Sequence, residues 1–326
     1  MIYIVTLNNG YFGSAGQNWL SIDVNILKGE LLSVGLSAEI IRFSDIENIT
    51  FHRDDFVIYT SSEDASIRGY IKDVMFFVSK KCTIIPSYEN LLAHENKGFQ
   101  HLSRQEKKFG NLKGCYLYDI DDLDYDKPVV LKKTTGAGSS GVSLIRSGTE
   151  IIKLKRKFKN RSVVRAIKNI IRKFQLSSDQ FNFYYYRYKG FLPFVTQEFV
   201  SGLNCDFKVL IFGEKFYVLK RYVRKDDFKA SGSGQFSFEE ASPELLNYAQ
   251  TIFEILDTPI ASLDIVENNK GYALIEYQTT NFGPIALKRS RGFYRKKESD
   301  WVFINSESNL DKEFSTALSN YIRNII

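Results

Sequence analysis

Two acidic residues near the C-terminus have the types and spacing of a metal site. Asp264 lies in the apolar run 261–266, and Glu276 lies twelve positions later in the run 272–278. The residues between these runs, 267–271, include two asparagines and a glycine and predict a hairpin turn. Two antiparallel strands joined in this way can present their carboxylates side by side. Because paired carboxylates hold Mg²⁺ on nucleotide phosphates, the hairpin predicts a magnesium site.

A glycine- and serine-rich loop follows a strand in the middle of the chain. The strand 128–133 leads into the loop 134–141, and a further strand is predicted at 143–145. Glycine lets backbone N–H groups approach a phosphate, and serine hydroxyls add donors, so the residues expected to contact phosphate are Gly138, Ser139 and Ser140. The loop is not a Walker P-loop, because no Gly-Lys-Ser/Thr closes it and a strand follows. Taken alone, it fits a plain hairpin equally well.

A lysine directly before this loop favours the nucleotide interpretation. Lys132 lies on the strand, where an ammonium group near a glycine-rich flap can neutralise α- and β-phosphate charge. Side chains alternate between the two faces of a strand, so Lys133 must point the other way. We expect Lys132 to bind phosphate and Lys133 to be a solvated surface residue.

The elements that would position these groups begin with an alternation of strand and helix. Strands and helices over the first ninety residues predict a small parallel sheet, with strands at 2–7, 40–41, 56–59 and 83–85 and helices at 17–34 and 65–77. No Gly-x-Gly-x-x-Gly turn follows the first strand, so dinucleotide binding is poorly supported. Further along, the patterns predict a polar helix at 88–107, mainly strands over 196–236, and helices at 243–256 and 311–325.

Composition predicts a globular protein of the cytoplasm. The hydrophobic fraction is 44% and the charged fraction 25%, which is ordinary for such proteins. No apolar run is long enough to span a bilayer, and the short apolar opening does not predict a secretory signal. Cys82, Cys115 and Cys205 are scattered and odd in number, which argues against a disulfide framework and a zinc site.

Several short motifs between residues 94 and 285 resemble, in their order, those of the ATP-grasp superfamily. They are Asn96-Lys97, Lys132 before the flap, the segments 196–202 and 205–213, Lys220-Arg221, the segment 227–229, and the Asp264 and Glu276 pair. The resemblance implies an α+β fold class. It would comprise an N-terminal Rossmann-like pre-ATP-grasp βαβ lobe and two α+β lobes that sandwich ATP. The corresponding ranges are 1–90, 91–195 with a basic helical insert at 151–190, and 196–326.

The same resemblance implies roles for individual residues. Lys97 and Lys132 would bind the ATP phosphates, and Asp206 would lie near the ribose or the acceptor. The adenine would be held by the strand-like hinge formed by Gln197, Glu198, Phe199 and Val200. The catalytic residues would be Arg221, which stabilises the transferred phosphoryl group or the tetrahedral intermediate, and Lys229 in a substrate loop. The metal, Mg²⁺ or Mn²⁺, would be held by Asp264, Glu276 and Gln278, although relatives usually have Asn at the third position.

A narrower resemblance concerns the ATP-grasp proteins of bacterial surface-polysaccharide clusters, whose tail is similar to residues 276–284. It implies a ligase that joins an amino acid or small amine to a sugar acid through an acyl phosphate. Such chemistry rests on positioning and charge neutralisation, which agrees with the scarcity of histidine. The acceptor would be an anionic glycan or a lipid-linked sugar acid. Two alternatives stay open, a kinase that forms no amide and a degenerate nucleotide-binding protein that associates with membrane or glycan.

A basic segment separates the flap from the predicted hinge. Residues 153–173 contain many lysines and arginines and no acidic residue, and residues 163–174 have an apolar helical face. A basic amphipathic helix can lie on an anionic membrane, which predicts peripheral contact through residues 161–174 at the inner membrane face. The simpler alternative, which we take as the expectation for the apolar face, is a helix packed on its own lobe. Nucleic acid is not expected as a partner, because no reader motif is present and the net charge is only +6.

Overall fold

The structure, a computed structural model, describes residues 1–13, 21–123, 128–136, 141–158, 163–188, 192–224, 234–238 and 240–326. The chain divides into two compact units. The first unit combines Met1–Asn111 with Gly202–Ile326, and the second unit is Leu112–Ser201. The three lobes with boundaries at residues 90 and 195 stay a prediction.

The N-terminal part of the first unit is built on a four-stranded parallel sheet. Its strands are β1 (Ile2–Thr6), β2 (Ala38–Arg42), β3 (Phe56–Tyr59) and β4 (Thr83–Ile85), in the order β2-β1-β3-β4. Helix α1 (Val24–Ser33) connects β1 to β2, and helix α2 (Ala65–Val78) connects β3 to β4. The parallel sheet predicted from the alternation of elements is therefore confirmed. Its likeness to a Rossmann fold stays a prediction.

Two predicted helices differ from the structure for local reasons. The first helix begins at Val24, because the Asp23 side chain accepts from the Asn25 N–H and caps the helix there. Residues 21–23 of the predicted helix 17–34 are therefore not helical, and residues 17–20 lie outside the described residues. The single helix predicted at 88–107 is two helices, α3 (Tyr88–Ala93) and α4 (Lys97–Glu106). Glu95 between them has a positive φ of 49°, which an α-helix does not allow, and Asn96 caps α4.

The second unit contains a four-stranded antiparallel sheet and three helices. The strands are β5 (Tyr116–Leu117), β6 (Val129–Lys133), β7 (Val142–Ile145) and β8 (Phe194–Glu198), in the order β5-β8-β6-β7. The helices are α5 (Gly148–Phe158), α6 (Val163–Gln175) and α7 (Ser178–Tyr188). One face of the sheet packs on α5 through a small core of Ile120, Leu131, Ile145, Leu154 and Phe194. The β6–β7 pairing confirms the strands predicted on either side of the flap, whereas residues 137–140 of the flap lie outside the described residues.

The apolar face of α6 does not belong to this core. The described side chains on that face are exposed, with Phe174 86% exposed and Ile170 61% exposed. The expectation that this face packs on its own lobe is therefore wrong. Among the described residues, no helix combines the length and the apolar character that crossing a bilayer requires.

The rest of the first unit is organised by a seven-stranded antiparallel sheet. The strands are β9 (Cys205–Phe212), β10 (Lys215–Tyr222), β11 (Phe236–Ser237), β12 (Ile260–Asn268), β13 (Gly271–Gln278), β14 (Gly292–Lys297) and β15 (Asp300–Asn305). Six of them follow the order β13-β12-β9-β10-β14-β15, and β11 pairs with β10. The helices are α8 (Pro243–Leu256), α9 (Ile285–Arg289) and α10 (Leu310–Ile325). The two long helices were predicted at these positions.

The two faces of this sheet have different partners. One face packs on α8 through a large apolar core, where Leu246 and Leu263 are completely buried. The other face is apolar only at one end, where residues such as Phe212 and Tyr217 pack with α10 and with the parallel sheet. The remaining end of that face bears charged side chains, which form the candidate site.

We expect Leu246→Ala to lower the free energy of unfolding by about 2–5 kcal/mol, because it removes a fully buried side chain from the α8 face of the sheet. The measurement is urea unfolding followed by circular dichroism. The matched control is Leu32→Ala on α1, where the side chain is 52% exposed and the expected change is small. Equal losses in the two variants would contradict this account of the core.

Candidate functional site

The predicted carboxylate pair lies on two neighbouring strands in direct register. Asp264 on β12 is opposite Glu276 on β13, and on its other side Asp264 is opposite Lys208 on β9. Directly opposite side chains lie on the same face of an antiparallel sheet. The prediction that a hairpin presents the two carboxylates side by side is thus confirmed, and Lys208 extends the row.

A β-bulge in β13 is what brings Glu276 to this face. The register shifts between Asp264 and Ile265, so that Ile265 pairs with Leu274 and Ile275 is the extra residue. Regular alternation would put Leu274 and Glu276 on the same face of the sheet. With the bulge, Leu274 is completely buried in the core beneath α8, while Glu276 lies on the opposite face beside Asp264.

Arg104 on α4 holds the bulged backbone. Its Nη1 donates to the carbonyl oxygens of Leu274 at 3.1 Å and Ile275 at 3.2 Å. Gln100, one turn earlier on α4, accepts a long hydrogen bond of 3.5 Å from the Tyr277 N–H. Because β13 is an edge strand, these side chains satisfy backbone groups that have no further strand to pair with. The helix therefore fixes the part of β13 that presents Glu276.

Arg221 joins two carboxylates of the site. Its Nε donates to Oδ1 of Asp206 at 2.6 Å and its Nη2 donates to Oδ2 of Asp206 at 2.8 Å, a bidentate pair between facing residues of β9 and β10. The same Nη2 lies 3.1 Å from Oδ2 of Asp264. Lys208 Nζ lies 3.4 Å from the other oxygen of Asp264, Oδ1. Both carboxylate oxygens of Asp264 therefore face cations.

The shared guanidinium separates the pKa values of the two aspartates. Burial acts to raise the pKa of Asp264, but the charges of Arg221 and Lys208 outweigh it and lower this pKa to about 2. Burial raises the pKa of Asp206 to about 6, against the opposing effect of Arg221. The pKa values of two carboxyl groups that share one cation separate in this way, because the ionisation of one group disfavours the ionisation of the other. Asp264 therefore stays ionised well below neutral pH, and Asp206 is the first of the two to take up a proton as the pH falls.

Glu276 has a different basic partner. Lys97, the first residue of α4, places its Nζ 3.1 Å from Oε1 of Glu276. The Asn96 side chain accepts from the Phe99 N–H and fixes the start of the helix, and thereby the position of Lys97. The start of α4 therefore places Lys97 beside the carboxylate pair. The contact of Lys97 with ATP phosphate stays a prediction.

A divalent cation fits the oxygen donors of this row. Asp264 and Glu276 supply carboxylates, and Gln278 follows on the same strand, where its Nε2 donates to Glu95 at 3.4 Å. Among the residues that the structure describes, no three His, Cys, Asp or Glu side chains are grouped to hold a metal. Mg²⁺ commonly takes only one or two carboxylates and completes its shell with phosphate and water oxygens, so the two acids suffice. Ligation by Gln278 stays a prediction.

The chain leaves β13 through a buried polar segment that anchors it to the parallel sheet. Thr280 shares a hydrogen bond of 2.7 Å with Nδ1 of His94, and burial lowers the pKa of His94 to about 4. The Asn281 amide donates to the Ser61 carbonyl at 3.0 Å and accepts from the Thr60 hydroxyl at 3.1 Å. The neutral imidazole and the amide therefore fix the end of the hairpin on β3.

The predicted nucleotide residues of the second unit lie on and beside β6 and β8. Lys132 faces Val195, and Gln197 is two residues further along β8, so Lys132 and Gln197 share one face of the sheet. Both are buried, whereas Lys133 is exposed on the other side, as predicted. Glu198 ends β8 as an exposed residue, and the half-buried Phe199 and Val200 follow it. Gly138, Ser139 and Ser140 of the flap, and Lys229 of the substrate loop, lie outside the described residues.

Sequence reasoning missed several residues that shape this site. The motif 205–213 contains Lys208 but implies no role for it, and the sequence pattern predicts Arg104, Gln100 and His94 only as members of a polar helix. Their polar and basic character on a short helix was the available signal. The strand that these residues contact depends on packing between elements that are far apart in the chain, such as the packing of α4 against β13.

A prediction concerns the acid stability of the unit that contains Asp264. Its folded pKa of about 2 lies below its usual value of 3.8, so it contributes stability above about pH 4 that is lost as the pH falls towards 2. We expect the stability difference between wild type and Asp264→Asn to shrink by up to about 2 kcal/mol over that range. The measurement is urea unfolding at a series of pH values. A difference that stays constant from pH 4 to pH 2 would contradict the assignment.

Comparison with known proteins finds similarity only at the level of structure. No protein-family model matches the chain. No curated protein matches it either. Solved structures do match it over nearly its whole length.

Three of these structures are informative. The D-cycloserine synthetase DcsG has a TM-score of 0.57 at 13% identity, over 98% of this chain and 99% of its own. The D-alanine–D-alanine ligase of Bacillus anthracis in complex with ATP has a TM-score of 0.52 at 12% identity, over 99% and 97%. The ATP-grasp ligase PsnB, in complex with a minimal precursor, Mg and ADP, has a TM-score of 0.51 at 12% identity, over 99% and 98%. At such low identities the comparison shows the fold alone, and that fold is the mixed α/β fold of the ATP-grasp ligases.

Proposed function

We propose that the protein is a Mg-ATP-dependent ligase that joins a carboxylate to an amine through an acyl phosphate. The observation that most supports this is the row of Glu276, Asp264 and Lys208, with Lys97 and Arg221 paired to its acids. It combines a pair of carboxylates for a metal with cations for phosphate oxygens. The fold shared with ligases that were solved with ATP, or with Mg and ADP, supports the same reaction.

The residues would act mainly through charge and position. When bound, Mg²⁺ would supply positive charge that reduces the repulsion between the phosphates and an incoming carboxylate. Asp264 and Glu276 would hold it, with Gln278 as a further ligand, and Lys97 and Lys208 would turn from the carboxylates towards phosphate. Arg221 is held rigidly by Asp206, so it can stabilise the transferred phosphoryl group without reorganisation. In the second unit, Lys132 would bind phosphate, and Gln197 with the residues up to Val200 would hold adenine.

The proposed reaction has two balanced steps. An oxygen of the acceptor carboxylate attacks the γ-phosphorus, an O–P bond forms, and the bond from that phosphorus to the bridging oxygen breaks to release ADP. The amine nitrogen then attacks the acyl carbon, a C–N bond forms, the C–O bond to phosphate breaks, and the amine loses a proton as phosphate leaves. Neither step requires a protein nucleophile. The neutral, buried His94 has no role in either step, and its imidazole instead shares a hydrogen bond with Thr280 after the hairpin.

The finer substrate assignment follows the motif resemblance. We propose that the acceptor is a sugar acid of a surface polysaccharide, free or lipid-linked, and that the amine is an amino acid or another small amine. The tail at 276–284 and the positive net charge of +6 support an anionic acceptor. The test is release of ADP and phosphate with panels of sugar acids and amino acids. Turnover only with carboxylates that are not sugar acids would contradict this assignment.

A trapping experiment separates a ligase from a kinase. Hydroxylamine replaces the amine, so an acyl phosphate gives a hydroxamate and free phosphate, both of which can be measured. We expect hydroxamate to form only with Mg²⁺, ATP and an acceptor together. A stable phosphorylated acceptor that resists hydroxylamine would instead show a kinase.

Substitution of the metal pair should abolish this turnover. We expect Glu276→Gln and Asp264→Asn each to reduce ADP release about a hundredfold or more, because the metal contributes several kcal/mol to the transition state. The matched control is Glu267→Gln, an exposed carboxylate on the same strand β12, which should keep wild-type turnover. Full activity in Glu276→Gln would remove the metal assignment.

The lysines at the end of β6 provide a paired test of nucleotide binding. We expect Lys132→Met to weaken the binding of an unhydrolysable ATP analogue by about tenfold or more, because charge-assisted hydrogen bonds to phosphate are lost. Lys133→Met should leave affinity unchanged, because the exposed Lys133 side chain lies on the opposite face of the sheet from Lys132. Isothermal titration calorimetry measures both. Equal effects of the two substitutions would contradict a specific role for Lys132.

A further inference from the structure

The helix α6 has an apolar face that its own unit leaves exposed. Val164, Ile167, Ile170, Ile171 and Phe174 recur at helical spacing and are between 49% and 86% exposed. Apolar side chains at such spacing normally face a core, since a helix gains most of its stability by burying them. An exposed stripe of this kind marks a surface that another apolar phase covers.

The polar side of α6 is where the neighbouring helix lies. Arg172 places its guanidinium carbon 5.8 Å from the centre of the Tyr184 ring on α7. At 100° per residue, Arg172 falls roughly opposite the apolar stripe, whereas Lys168 and Lys173 flank it on either side. The contact with α7 therefore uses the side of α6 that would otherwise be solvated, and the apolar side stays open.

The charge of this segment selects what can cover the apolar face. From Lys153 to Lys173 the sequence contains ten lysines and arginines and no acidic residue. A second copy of the chain on this face would bring the same positive charges together, at a cost in free energy. An anionic lipid surface satisfies both features at once, because headgroups attract the cations and acyl chains accept the apolar side chains.

The dimensions of α6 and the composition of α7 suit such a surface. With 13 residues, α6 is roughly 20 Å long, so it can lie in a bilayer interface but cannot span one. On α7, Phe183 is 75% exposed and Tyr186 is 53% exposed. Exposed tyrosines suit the level of the headgroups, where one end of the ring is apolar and the other is wet.

We propose that α6 is a membrane-docking helix that places its apolar face in the interface of an anionic bilayer. The helix would lie along the surface, with Val164, Ile167, Ile170, Ile171 and Phe174 at the acyl boundary and the basic side chains at the headgroups. This inference is independent of the catalytic proposal, because it rests only on the exposure and charge of the second unit. It would bring the protein to the surface where lipid-linked molecules reside.

Co-sedimentation of the full chain with vesicles tests the proposal. We expect binding to vesicles of phosphatidylcholine mixed with phosphatidylglycerol, roughly tenfold or more weaker binding to phosphatidylcholine alone, and loss of binding at high salt. The triple variant Ile167→Ser, Ile170→Ser, Phe174→Ser should bind at least about tenfold more weakly, because it removes buried apolar area. Lys168→Gln with Lys173→Gln should reduce binding roughly tenfold and flatten the salt dependence.

The matched control changes exposed apolar residues elsewhere. Leu32→Ser, Ile325→Ser and Ile326→Ser lie in the first unit, are similarly exposed, and should leave vesicle binding at the wild-type level. Circular dichroism and thermal unfolding verify that all variants fold. Wild-type binding in the α6 triple variant would overturn the proposal. So would a wild-type dimer, seen by analytical ultracentrifugation without lipid, that this variant abolishes, since the occupant of the face would then be a second copy.

Discussion

Charge pairing across neighbouring strands is the interaction on which the candidate site depends. Three carboxylates, Asp206, Asp264 and Glu276, face three cations, Lys97, Lys208 and Arg221, on one face of a sheet. Unpaired, such charges would be costly so close to an apolar core, because partial burial removes water from them. Paired, each of the three acids has a basic nitrogen within 3.4 Å of a carboxylate oxygen. In the proposed complex, a metal would replace the basic partners of the acids. Phosphate oxygens would replace the acidic partners of the lysines and the arginine.

The position of that row follows from how the sheet is covered. One face packs completely on α8, and the other packs on α10 and the parallel sheet only at one end. Apolar residues fill most of both covered regions, so the row of ionised groups lies at the end of the second face that α10 does not cover. The bulge at Ile275, held by Arg104, lets one edge strand supply Leu274 to the core and Glu276 to the charged row. Without it, a single strand of alternating residues could not serve both.

The second unit differs from the first in where it exposes apolar side chains. Its sheet buries a small core on one face and keeps Lys132 and Gln197 on the other. Its helix α6 leaves a broad apolar stripe exposed beside a cluster of positive charge. Local periodicity predicts that α6 is helical, but the small core of the second unit includes no described residue of α6. The same sequence pattern would therefore fit a packed helix or a docking helix, and only the exposure of the side chains separates them.

The sequence by itself determined the elements and the types of residue available for chemistry. Strand alternation, the turn before Gly271 and the strand lysine at 132 are local patterns, so the hairpin, the parallel sheet and the opposite faces of Lys132 and Lys133 could be predicted from them. Tertiary structure alone decided that α4 lies against β13, that Lys97 pairs with Glu276, and that Arg221 joins Asp206 to Asp264. These contacts link residues up to about 180 positions apart in the chain. The physical reason is that periodicity specifies which face of an element is apolar, whereas strand order and bulges specify which side chains meet.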